Sequence, residues 1–225
     1  MGWVDLRWFA AGLLLTTASV GWTEEASPTQ RLLEAGWEKG IAAQKAAAEI
    51  YDQAAIGTPD DVALHYSHAL VQLKHRRYRE AETLLKAVLS RQDNHPGARG
   101  AMLWTSALRK KYSETLAQAE SWSEELGKAS SPDRNERVEF VGRIFGFLQG
   151  PAAKSVAAAN ATDVRTRILA RLDEEGKKAF QTGEEDVLRQ YAMLSGQSDA
   201  TREQSKAAEE TQLIEQEQDL QREES

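Results

Sequence analysis

Among the 225 residues of this chain, the side chains best placed to do chemistry together are three histidines, His65, His68 and His75, at spacings of three and seven. On a helix these spacings share one face, the way imidazoles are presented to a divalent metal. Such a site also needs a carboxylate or further ligands, with partners that orient the rings. Histidine spacing alone supplies neither, so packed or surface histidines are expected, and no metal or other cofactor is assigned. No Ser-His-Asp spacing, glycine-rich phosphate loop or His-Glu-x-x-His motif occurs. The paired acids Asp60–Asp61, Glu124–Glu125 and Glu184–Glu185 fall at expected helix ends or exposed faces, where acids are ordinary. With no cysteine there is no disulfide, no thiolate ligand and no cysteine for lipid attachment. The chain carries no constellation of an enzyme, and a non-catalytic role is expected.

The other chemistry is charge. The stretch LKHRRYRE holds Lys74, Arg76, Arg77 and Arg79, and 34 residues after Arg76 the chain has Lys110, flanked by Arg109 and Lys111. Set side by side, the clusters would make an edge of seven cations able to attract an acidic partner, a lipid headgroup or an anionic envelope polymer. The plain alternative is that solvated helix ends carry cations that favour the helix dipole.

The spacing of 34 runs through more than the cations. Setting the segments that begin at Pro28, Val62 and Pro96 under one another places Ala35 over Ala69 and Leu103, Ala47 over Ala81 and Thr115, and Tyr51 over Leu85 and Ala119. Small residues at fixed columns are what helices approaching to about 8–10 Å require at their crossings. A period of this length is that of a helix-turn-helix unit stacked into a solenoid. The segment RRYREAETLLKAVLS, through Tyr78, Glu80 and Ala81, resembles the second helix of a tetratricopeptide repeat. In AAAEIYDQAAIGTPDD, Ala47, Tyr51, Ala54 and Pro59 occupy that family's alanine, aromatic, alanine and closing-proline positions, making the first copy the closest match. No copy has the family's early tryptophan, and Leu103 replaces the small residue of the first crossing, so the third copy is degenerate.

This resemblance covers roughly residues 28–129 and implies an all-α solenoid of two to three hairpins, extended by C-terminal helices. It also implies a concave partner-binding face lined by Tyr66, Leu70, Leu73, Trp104 and Leu108, an apolar and aromatic groove for a protein or peptide. The residues by which some relatives clamp a C-terminal carboxylate are absent. An internal alternative is that the chain fills this groove itself. From Val138 to Leu148 seven of eleven residues are large and apolar, too many for one stripe, so this helix needs a partner surface on most sides.

The remaining segments divide by composition. Hydrophobic residues make up 41% of the chain, enough to bury a core, and no run alternates at strand period. Residues 1–22 contain a 16-residue uncharged run behind Arg7 that reads as a cleaved signal peptide or a signal anchor, placing the protein outside the cytoplasm, in a periplasmic or envelope location. Residues 130–196 form a helical extension that packs on the repeats. It starts near Ser131 or Asp133, and Thr162 or Asp163 is expected to cap a later helix with Val164, Ile168, Leu172 and Ala179 on one face. Residues 197–225 hold nine acids against three bases, a net of −6 in a chain of net −7, and read as a disordered or weakly helical acidic tail. The repeats are not basic overall, so nucleic acid is not an expected partner.

Overall fold

The computed structural model describes residues 26–150 and 157–196, so the signal-like segment 1–22 and the acidic tail 197–225 lie outside the described residues. Every regular element among the described residues is an α-helix. These are α1 (Pro28–Trp37), α2 (Ile41–Gly57), α3 (Val62–Lys74), α4 (Tyr78–Arg91), α5 (Pro96–Leu108), α6 (Tyr112–Lys128), α7 (Arg134–Gln149), α8 (Ala157–Arg171) and α9 (residues 174–196).

The 34-residue period reappears as repeated hydrogen bonding. Helices α1, α3 and α5 each begin with a side-chain cap at the same position of the period. Ser27 Oγ accepts from the Gln30 amide, Asp61 Oδ1 from that of Leu64, and His95 Nδ1 from that of Ala98. Such caps satisfy donors that the first turn leaves unpaired, and Pro28 and Pro96 follow two of them, in the first turn where the missing N–H costs nothing. The ends of α3 and α5 also match. Arg76 N–H donates to Leu73 O at 3.0 Å and Arg77 N–H to Gln72 O at 2.9 Å, while Lys110 and Lys111 donate equivalently to Ala107 and Ser106 at 3.0 and 2.9 Å. Both turns put a non-glycine residue at φ 61°, Arg76 in one and Lys110 in the other.

The copy whose turn differs is the first. There α1 stops at Trp37, Gly40 carries the turn at φ 113°, and α2 begins at Ile41, three residues before the position homologous to the start of α4. A left-handed residue of that kind is one only glycine adopts without strain. The third copy keeps the helix starts of the second. Leu103 is fully buried in a cluster with residues of α6 and α7, and Thr115, in the alanine column, returns its hydroxyl to Lys111 O at 3.0 Å.

Contacts follow a simple pattern. α1 pairs with α2, α3 with α4 and α5 with α6, while α1, α3, α5 and α7 touch in succession. The first helices run the same way: His75 donates to Gly36 O near the ends of α3 and α1, and the Trp104 ring meets that of Phe147 at 5.1 Å between α5 and α7. α7 is buried along Val138, Val141, Ile144, Phe145 and Leu148 as its composition requires.

Beyond α7 two expectations change. Helix α8 is already helical at Ala157, so neither Thr162 nor Asp163 caps it; the alanines ahead of them are strong helix formers and carry the helix upstream. The apolar face of Val164, Ile168 and Leu172 is buried, but the chain breaks at residues 172–173 and Ala179 belongs to α9. Asp173 Oδ1 accepts from the Gly176 amide at 2.8 Å, opening α9. Helix α9 then runs beside α7 in the same direction along glycines of α7. A Cβ at Gly142 would run into Phe180 O, one at Gly146 would lie 2.6 Å from Glu184 O, and one at Gly150 2.5 Å from the Tyr191 ring. Only glycine allows backbones to approach this closely.

Candidate functional site

The residues expected to line an open concave face are covered. Tyr66, Leu70, Leu73 and Trp104 are all at most 6% exposed, and Leu108 is half-buried. The first three belong to a cluster shared by α3, α4 and α5. Trp104 and Leu108 join the cluster of α6 to α9, with Phe147 of α7 against the indole. The apolar helix Val138–Leu148 thus meets the third hairpin where an outside partner was expected. The physical reason is the one its composition gave: an apolar surface this broad is stable only when covered.

The seven cations separate into different roles. Arg109 and Lys111 both reach the carboxylate of Glu82, which is 4% exposed, and Lys86 meets it as well at 2.8 Å. This ties α4 to the turn after α5 and gives a buried charge the partners it needs. Arg77 pairs with Glu80 at 2.8 Å; the Glu80 carboxyl sits below its usual range because of its own backbone amide and that guanidinium. The Lys74 ammonium lies 4.4 Å from the Trp37 ring centroid, and burial with nearby Lys39 draws its pKa down. Arg76, Arg79 and Lys110 are exposed at the turn edge.

The histidines link the first two hairpins through hydrogen bonds and ring contact. His65 Nε2 lies 2.7 Å from Pro59 O and Nδ1 2.7 Å from Tyr51 Oη, so the ring donates to the carbonyl and accepts from the phenol. His75 likewise donates from Nε2 to Gly36 O at 2.8 Å and accepts from Gln44 at Nδ1, 3.1 Å away. His68 is stacked on Tyr51 with ring centroids 3.9 Å apart, its Nε2 2.6 Å from the Gln72 side-chain nitrogen and its Nδ1 buried without a partner. Burial pushes its pKa down to about 4. Among the described residues no group of histidines and carboxylates is arranged to hold a metal.

An open groove of 540 Å³ lies on the other side of the second and third hairpins. Helix α5 packs against both α4 and α6 and forms the floor. Leu89, Met102, Leu103 and Trp122 supply apolar surface, and Lys86, Arg99, Asp93 and Glu125 place both signs of charge around it. Arg99 pairs with Glu125 and donates to Asp93 O at 2.6 Å, linking α5 to α6 and to the preceding loop. Ala117 and Ser121 expose small side chains along the α6 wall. Sequence reasoning passed over this groove because it looked for binding on the first helix of each hairpin. The available signal was Leu89, a large apolar residue outside the alanine columns, facing small Ala117 and Ser121 on the next second helix.

Compared with protein-family models, with curated proteins and with solved structures, the chain matches none. None of the helices among the described residues is long and apolar enough to cross a membrane.

Proposed function

We propose that this protein is an exported, non-catalytic scaffold whose tetratricopeptide-like hairpins hold a partner polypeptide in the groove between α4 and α6. The observation that carries the reading is the groove: half-buried Leu89 and exposed Ala117 and Ser121 on two helices, over a floor of buried Met102 and Leu103, rimmed by Lys86, Arg99, Asp93 and Glu125. Two helical walls over a helical floor suit the apolar stripe of an amphipathic partner helix, with the rim charges orienting it. The concave face is no longer the favoured surface, because α7 covers it at Trp104 and Tyr66, Leu70 and Leu73 are buried, whereas Leu89, Ala117 and Ser121 leave the walls of the groove accessible. The 34-residue period and the repeated caps support the repeat reading, and the uncharged N-terminal run supports export. A second reading, an anionic envelope polymer or membrane surface on the turn edge, is favoured by exposed Arg79 and Lys110.

A photocrosslinking amino acid at Ala117, compared in native envelope with one at exposed Glu49 on α2, tests the groove. One defined polypeptide captured at position 117 and not at 49, and lost when Ser121→Arg is added, is expected. Ser121 is exposed, so that change should alter stability by less than about 0.5 kcal/mol. The same products at both positions, or capture indifferent to Ser121→Arg, would rule out the groove.

A further inference from the structure

The hairpin-turn edge gathers the ends of five helices. His75 reaches Gly36 O, bringing the ends of α1 and α3 together, and the contact of Trp104 with Phe147 aligns α5 with α7. α9 follows α7 from Arg134 beside Asp173, through Gly142 beside Phe180, to Gly150 beside Tyr191. Since these helices run the same way, α9 ends at residue 196 on the edge that carries the turns after α3 and α5. The Phe147 ring, which touches Trp104 near the end of α5, lies 6.3 Å from that of Tyr191, near the end of α9.

Two features make that edge unusual. Among the described residues its cations Lys74, Arg77, Arg79, Arg109, Lys110 and Lys111 outnumber the acids they pair with, Glu80, Glu82 and Glu114. In addition, Arg76 and Lys110 occupy the left-handed position that closes a helix, where glycine is the unstrained choice. Keeping a long cation there twice, 34 residues apart, points to a use for the side chain rather than the backbone.

We propose that the occupant is the chain's own acidic segment, residues 197–225, which docks along the turn edge over Arg79 and Lys110. Its nine acids against three bases supply the complementary charge, and the chain leaves α9 at the edge itself. The acid-rich stretch from Glu209 to Asp219 begins 13 residues beyond the end of α9. At about 3.3 Å per residue the connecting chain reaches more than 40 Å, several interhelix spacings. A docked tail would screen the edge from other anions and release it as salt rises.

Carbodiimide crosslinking of the full chain tests this, because it joins only carboxylates and amines in direct contact. At low salt, peptide mapping is expected to show Glu209, Glu210 or Glu215 linked to Lys110 or Lys74. Yield should fall about tenfold in 0.5 M NaCl and vanish in the variant Glu209→Gln, Glu210→Gln, Glu215→Gln. An equal mixture of isotopically light and heavy protein separates links within a chain from links between copies. Tail-to-edge links within one chain support the proposal. Their absence at low salt, links only between copies, or a yield unchanged in the neutralised variant overturns it, with helicity by circular dichroism confirming that each variant is folded.

Discussion

The junction between the first two hairpins and the seam between α7 and α9 solve one problem, holding helices together, by opposite means. The first uses side-chain hydrogen bonds: His65, His75, Tyr51 and Gln44 reach across between α2, α3 and the end of α1. The second uses shape, with Gly142 and Gly146 letting the α9 backbone lie directly on α7. The buried His68 imidazole at the same junction carries a lowered pKa, whereas backbone contact depends on volume alone. The junction should therefore respond to pH and the seam to added methyl groups.

The sharpest break in that contrast is a methyl group placed at each. Gly142→Ala drives a Cβ into a backbone carbonyl that cannot rotate away, and about 3 kcal/mol of stability should be lost in urea unfolding. Gly36→Ala, in the histidine junction, meets the Val71 methyl groups at 2.5 Å; a side chain can repack, so about 1 kcal/mol is expected. Equal losses would show that the two regions pack alike.

Acid should strike the other region. The folded His68 imidazole is held near pKa 4 by burial, while in the unfolded chain it titrates near 6.5. Between those values only the unfolded state takes up the proton. The His68 contribution is therefore intact above pH 6.5, is lost progressively as pH falls, and levels off below about 4. Allowing for residual solvent screening, about 2 kcal/mol should separate stability at pH 7 from that at pH 4.5, and His68→Gln should flatten that part of the profile. An unchanged profile in the variant would remove His68 from the account.

Between these two regions, Glu82 is held by charge. Glu82→Gln leaves Lys86, Arg109 and Lys111 facing each other, and since those cations are partly exposed a loss of about 1–2 kcal/mol is expected, smaller in 0.5 M NaCl than at low salt. A loss independent of salt would mean that packing, not charge, joins α4 to α5. The smallest effect has the opposite sign. Lys110→Gly relieves the φ 61° turn and should raise stability by about 1 kcal/mol, seen as a higher midpoint in the same unfolding assay.

The repeat was legible because close helix crossings demand small residues. Ala47 and Ala81 stand 34 residues apart, as do Ala35 and Ala69; Ala47, Ala69 and Ala81 are buried as that demand requires, and Ala35 is half-buried. The turn cations were legible as a cluster, but their division was not. Nothing in the local sequence says that Arg109 and Lys111 will reach a carboxylate almost thirty residues earlier, which only the stacking of α4 beside the next turn achieves. Coverage of the concave face was legible only in the need of Val138–Leu148 for a partner surface, not in Tyr66 and Leu70 themselves. Tyr66 and Leu70 look like an exposed stripe on an isolated hairpin, and their burial depends on neighbouring helices.

Local pattern was enough for the all-helical class and the buried character of Val138–Leu148, since each rests on residues within a turn or two of one another, and alignment of the segments was enough for the 34-residue spacing. Tertiary structure alone decided that Gly142 and Gly146 form a seam with α9, that the histidines become hydrogen-bond links, and that the open groove lies between α4 and α6. Those outcomes depend on which distant helices are brought together, and pairing at long sequence separation is governed by the shape and volume of whole surfaces rather than by the period of any one segment.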